Sequence, residues 1–264
     1  MLAALLFSVI AAGQPPFTPI HRVFHGSKTN EATLDKDNAY WKNAQIEVYK
    51  SAEELQAQEE RELRSGKPLT TLRHGPLNKK EIALTFDDGP HEFFTPKLLT
   101  LLDQYHVKAT FFVIGKMVDA NPNLLKQIHT HGHLIGNHTF SHVTLTKLPF
   151  DEILTEYRAT NDVIRATIGI TPKYCRPPGG DHDSATTQAA QYLGLQTTLW
   201  TDDPGDYANP GDGIILSRLY KRLGNGGIIL LHDGPTETLE ILKTFIPACK
   251  NKGYTFVTLD KWQK

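Results

Sequence analysis

The chain has 264 residues, with 28 Lys and Arg against 29 Asp and Glu, a formal net charge of −1 and a pI near 6.9. This balance leaves no basic footprint for nucleic acid and makes a neutral polymer or small molecule the expected partner. A chain near this size buries roughly 75% of the surface it exposes when unfolded, enough for one large α/β domain with an N-terminal extension.

Residues 2–12 form a mostly apolar run that ends in Ala11, Ala12 and Gly13, ahead of Gln14-Pro15-Pro16. The run is far below the ~20 residues of a membrane span. Its length and small-residue end fit a signal peptide over residues 1–13, although no Lys or Arg precedes it. A secreted, periplasmic or envelope protein without a stable membrane span is the expectation. Residues 14–43 are mixed, polar and proline-containing, with no clear period. Residues 44–65, AQIEVYKSAEELQAQEERELRS, are rich in Glu, Gln, Ala and Leu, which favour helix. They predict a solvated helix packed on the main domain. Gly66 and Pro68 close it, and residues 69–80 read as a linker, so the extension spans 14–79.

The main domain, 80–264, has a different rhythm. Short apolar runs at 82–86, 110–115, 134–137, 174–177, 196–200, 227–231 and 254–259 alternate with longer helix-patterned stretches. Such alternation predicts parallel strands with helical crossovers. Seven units point to a distorted or incomplete (β/α) barrel, with a doubly wound open sheet as the alternative. Cys175 and Cys249 lack CxxC spacing. That argues against thiolate zinc and predicts two free thiols.

The chemistry-bearing residues sit in two segments, 83-ALTFDDGP-90 and 136-GNHTFSH-142. Asp87 and Asp88 stand just past an apolar run, and His138 and His142 are four apart. On one helical turn, residues at that spacing share a face, so both imidazoles could reach one ion together with a carboxylate. Three such ligands leave a coordination position open for water, as in catalytic rather than structural metal sites. His129 and His131 read as surface residues, and His133 as outside the site. Arg176 ends the run at 174–177, and Asp206 and His232 follow those at 196–200 and 227–231; catalytic groups gather at the C-terminal strand ends of barrels and open α/β sheets alike. Taken singly, each residue has a plainer reading: an Asp at a strand end is usually a helix cap. Their joint occurrence at strand ends carries the argument.

TFDDGP, HTFSH, RPPGG, DPGDY and LLH resemble, in order, the five motifs of the NodB-type polysaccharide deacetylases, carbohydrate esterase family 4, over about residues 80–262. The resemblance implies a distorted (β/α) barrel and metal-assisted removal of acetyl groups from N-acetylglucosamine polymers. It also implies roles. Asp88, His138 and His142 match the metal ligands, Asp87 the general base, Arg176 the residue that holds the base, His232 the general acid and Asp206 its orienting partner. Pro177, Gly179, Tyr207 and Leu230 fall at substrate-contacting positions, Gly179 offering an oxyanion N–H and Leu230 a wall for the acetyl methyl. Zn2+ fits the ligands best, and Co2+ or Ni2+ suits the same set. An acetylated polysaccharide or oligosaccharide, chitin-like or peptidoglycan, is the implied partner.

Two departures bear on substrate. Gly179, followed by Gly180, stands where the family usually has an aromatic after RPP, and Tyr207 where Trp is common. Tyr207, Trp200 or His182 could supply the missing wall. O-deacetylation of xylan or another glycan, and hydrolysis of a small-molecule amide, stay open as alternatives.

Overall fold

The computed structural model describes residues 49–66 and 71–262. The expected signal peptide, most of the extension and residues 67–70 of the expected linker lie outside the described residues. Helix α1, Ala52–Arg64, is capped by Ser51, and residues 44–48 of the expected helix lie outside the described residues. The Ser51 hydroxyl accepts from Glu54 N at 3.2 Å, and Glu54 accepts from Ser51 N at 2.8 Å. This reciprocal pair satisfies two otherwise orphaned donors. Only Ala52 and Leu55 of the helix are buried, so most of its charge run does face solvent.

Eight strands and seven further α-helices follow among the described residues. They are β1 Thr71–Leu72, β2 Glu81–Asp87, α2 Thr95–Gln104, β3 Thr110–Val113, α3 Gly115–Ala120, α4 Pro122–Thr130 and β4 Leu134–Asn137. Then come α5 Phe150–Ile168, β5 Tyr174–Cys175, α6 Ser184–Tyr192, β6 Gln196–Thr198, α7 Asp212–Arg222, β7 Gly227–His232, α8 Thr236–Asn251 and β8 Thr255–Phe256. All seven strands read from the sequence are present. The eighth, β1, lies in the segment expected to be a linker and pairs with β6. Two residues are too few to show a period.

The strands pair in the order β1-β6-β5-β4-β3-β2-β7, every pair parallel, with β8 beside the start of β2. The sheet curls into an incomplete barrel, and Asp202, past β6, bridges Ile229 of β7 at the other end of the path. Successive side chains on a strand point to opposite faces. Ile82, Leu84 and Phe86 of β2 and Ile229 and Leu231 of β7 pack outward under the helices. Ala83, Phe112, Tyr174, Trp200, Ile228 and Leu230 fill the interior. Gly136 makes room for this filling, since a Cβ there would lie 2.4 Å from the Phe112 ring.

The inward phase continues to the strand ends, where it delivers Asp87, His138, Arg176 and His232. The opposite mouth is closed by the last described turn. Trp262 lies against Gly75, leaving 2.4 Å to a Cβ built there, and its indole N–H donates to Glu81 at 2.9 Å. Cys175 and Cys249 are free and buried, and among the described residues no helix is long and apolar enough to cross a membrane.

Candidate active site

Asp87 ends β2, paired directly with His232 at the end of β7. Asp88 then turns the chain with φ +74°, a conformation costly for a residue with a side chain. Gly89 follows because a Cβ there would meet the Asp233 carboxylate at 2.4 Å. Asp233 binds Thr95 at the start of α2 and, through its backbone N–H, Asp87 O at 2.9 Å. The segments 87-DDGP-90 and 232-HDGP-235 thus lie side by side. Burial raises the Asp233 carboxyl to about 7.

His138 and His142 do not share a helical turn. They sit on an irregular loop after β4 in which Thr139 and His142 have φ of +65° and +55°. The loop is framed by side chains that sequence reading passed over. Asn137 accepts from Thr139 N at 2.8 Å and donates to Tyr157 O and Asn161 Oδ1. Glu156 of α5 accepts from Phe140 N and Ser141 N at 2.9 and 2.8 Å. The first amides of α3 donate to the carbonyls of Thr139 and Phe140.

The result is a cluster in which one ligand atom each from Asp88, His138 and His142 lies within 4.8 Å of the others. His138 Nε2 and His142 Nε2 stand 3.3 and 3.2 Å from Asp88 Oδ1. His138 Nδ1 is 2.8 Å from Arg176 O. A carbonyl only accepts, so that nitrogen carries the proton and Nε2 keeps its lone pair. Neither Asp88 oxygen nor His138 Nε2 makes a hydrogen bond of acceptable geometry, although all three atoms are buried. Buried polar atoms left in that state are costly, and converging lone pairs of one carboxylate and imidazole fit a divalent cation. Burial opposes ionisation of Asp88, but His142, His138 and His232 more than offset it and hold its carboxyl well below the usual range.

Arg176, fully buried, donates to Asp87 Oδ1 at 2.7 Å, to Thr85 at 2.8 Å and to Thr198 O at 3.2 Å. Its guanidinium lies 4.2 Å from the Phe112 ring centroid, a cation–π contact strengthened by desolvation. Asp87 is thereby fixed through Oδ1, while Oδ2 faces His138 Nε2 at 3.7 Å. On the other side, Asp206 accepts from His232 Nδ1 and from His232 N, both at 2.8 Å, and from Thr238 at 2.6 Å. Burial lowers the basicity of His232, but Asp206, with Asp88 and Asp87 adding to it, carries the imidazole up to about 9. Its Nε2 is buried and makes no hydrogen bond.

The remaining expected residues are less uniform. Gly179, with φ +61°, and Pro178 border a cavity of about 430 Å3 beside His142. Pro177 is buried behind them. Leu230 is fully buried in the barrel interior, one inward position before His232. Tyr207 lies edge-on to His232 with 5.2 Å between centroids. Trp200 is fully buried behind Gly180, where a Cβ would approach it to 2.6 Å, so it is not an exposed wall. His182 is buried against Gly180 O and Gln58, so it supplies no wall either. The aromatic beside His232 that the sequence did not reveal is Tyr49, 5.2 Å from the His232 ring and 4.2 Å from Tyr207. His133 lies apart from the cluster and accepts from Ala109 N, and burial lowers its basicity to about 4. His129 is exposed, and His131 pairs with Asp103.

An incomplete parallel barrel with an Asp-His-His cluster and a strand-held Asp and His at its rim defines a hydrolase of the NodB type. Comparison with known proteins agrees. The sequence model of the polysaccharide deacetylase family matches residues 74–198. A peptidoglycan-N-acetylglucosamine deacetylase of Bacillus cereus is 40% identical over 191 residues, covering 70% of this chain and 89% of the relative. The solved Bc1960 peptidoglycan N-acetylglucosamine deacetylase superimposes with a TM-score of 0.71 at 36% identity, over 73% of this chain and 92% of that one. Wild-type BA3943 of Bacillus anthracis, a pseudoenzyme of carbohydrate esterase family 4, gives 0.70 at 29% identity, over 74% and 69%. The chain belongs to the NodB-type polysaccharide deacetylases, carbohydrate esterase family 4. It is a hydrolase acting on amide bonds.

Proposed function

We propose that this enzyme removes N-acetyl groups from N-acetylglucosamine residues of cell-wall glycan, with peptidoglycan as its substrate. The observation that carries the reading is the pairing of Asp87 with His232 across β2 and β7, on either side of the buried Asp88, His138 and His142. Those three residues would hold a divalent metal, Zn2+ by ligand preference with Co2+ or Ni2+ accommodated. When bound, such an ion supplies Lewis acidity that polarises the acetyl carbonyl and acidifies water.

The chain's own groups account for the proton movements. Asp87 Oδ1 is committed to Arg176, which leaves Oδ2 to accept a proton from the attacking water. A C–O bond forms at the acetyl carbon, and the oxyanion meets the backbone N–H of Gly179. His232, protonated and held through Nδ1 by Asp206, gives its Nε2 proton to the amide nitrogen as the C–N bond breaks. Acetate and a free amino sugar result. Tyr207 borders the sugar, Pro177 backs the Pro178–Gly179 wall from behind, and Leu230 presents an apolar floor to the acetyl methyl. A cell-wall substrate places the enzyme in the envelope or outside the cell, as the apolar run at 2–12 also suggests.

Acetate release from peptidoglycan, acetylated chito-oligosaccharides and acetylated xylan, each with and without a chelator, tests the proposal. Release from the first two, abolished by chelation and restored by zinc or cobalt, is expected. Chelator-insensitive release, or release from xylan alone, would overturn it.

A further inference from the structure

The cavity beside His142 is not built by strand-end loops alone. Tyr49, Lys50 and Glu54 line it opposite Pro178 and Gly179. These three residues precede the region matched by the family, which begins at residue 74. Specific bonds fix them there. Lys50 N donates to Gly179 O at 2.9 Å, and Lys50 Nζ pairs with Asp181 at 2.9 Å and Gln58 at 3.0 Å. Gln58, on the next turns of α1, donates to His182 O at 3.2 Å. Segment 49–58 is thus clamped across the loop that carries Gly179.

The lining also has a chemical character. Lys50 and Lys147 are balanced by Glu54 and Asp181, and the Tyr49 ring closes the end nearest His232. Balanced donors and acceptors beside an aromatic face suit a neutral, hydroxyl-rich ring better than an anion. The volume, about 430 Å3, lies in the range of small-molecule sites.

We propose that Tyr49, Lys50 and Glu54 form a subsite for the sugar next to the one being deacetylated. Substrate preference is then set partly by a segment outside the family-matched region. This rests on the glycan-deacetylase reading above.

The test uses the full chain and N-acetylated chito-oligosaccharides of two to six sugars. Tyr49→Ala and Lys50→Ala should each raise KM for the hexamer about fivefold, the worth of one aromatic contact or one net hydrogen bond, with kcat changed less than KM. Tyr49→Phe and Lys50→Arg should recover most of that loss. Hexamer binding by calorimetry reads the subsite independently of turnover and should weaken in parallel. Glu54→Gln, which keeps an acceptor for the helix cap, repeats the test if either alanine variant loses its cooperative melt. Unchanged KM and unchanged binding, or a fall in kcat at constant KM, overturns the subsite. A wild type that binds the hexamer but releases no acetate refutes the deacetylase reading and not the subsite.

Discussion

His138 and His142 reach the ligand cluster from a loop with two left-handed residues, whereas Asp87 and His232 reach it from neighbouring strands in register. The loop holds its shape only because Asn137, Glu156 and the amides of α3 bind it from outside. The strand pair needs no such frame. Adjacent strands lie about 4.8 Å apart, and a slip of one residue would turn both side chains into the outer core. The half proposed to handle protons is therefore fixed by sheet geometry, and the half proposed to hold the metal by a side-chain scaffold that single substitutions can weaken.

Asp87→Asn separates the halves most sharply. It keeps the acceptor for Arg176 but removes the base, so acetate release should fall by about 10²- to 10⁴-fold, while calorimetry finds metal uptake retained. Loss of uptake would show that the halves are not independent. Glu156→Ala acts on the other half. It strips the partner from two loop amides, and metal affinity should fall about 10- to 100-fold, with kcat recovered at saturating metal.

Asp206→Asn probes the strand half through pH. In the metal-free protein His232 stands at about 9, above the ordinary histidine range. Its protonation therefore stabilises the fold fully below the unfolded value near 6.5 and ceases to do so as pH rises through 9. The substitution should move the His232 NMR titration downward and flatten the alkaline fall in thermal stability. An unmoved titration would deny Asp206 its orienting role. Gly136→Ala should have the smallest effect. The added methyl meets Phe112, whose ring also carries the Arg176 guanidinium. A loss of about 1–3 kcal/mol by denaturant melt is expected, with both halves still assembled.

The strand-end residues were legible because motif and period agreed: an apolar run followed by a charged residue needs only the inward phase to place it. The loop was not. Histidines four apart fit a helical turn as well as a bent loop, and only Asn137 and Glu156 decide between them. Glu156 reads in sequence as an ordinary acid on an amphipathic helix. Tyr49 was hidden for another reason, since its partners Tyr207 and His232 lie far along the chain and meet it only through tertiary packing. The helix that follows it begins at Ala52, where the Ser51–Glu54 cap fixes its start.

Trp262, wedged over Gly75 at the far mouth, has a consequence for how a long substrate can engage. With that mouth stoppered and the interior packed with aromatic and aliphatic side chains, the described residues leave no tunnel for a polymer to thread. On the proposed reading, a glycan strand would lie across the rim, which makes mid-strand sugars as reachable as terminal ones.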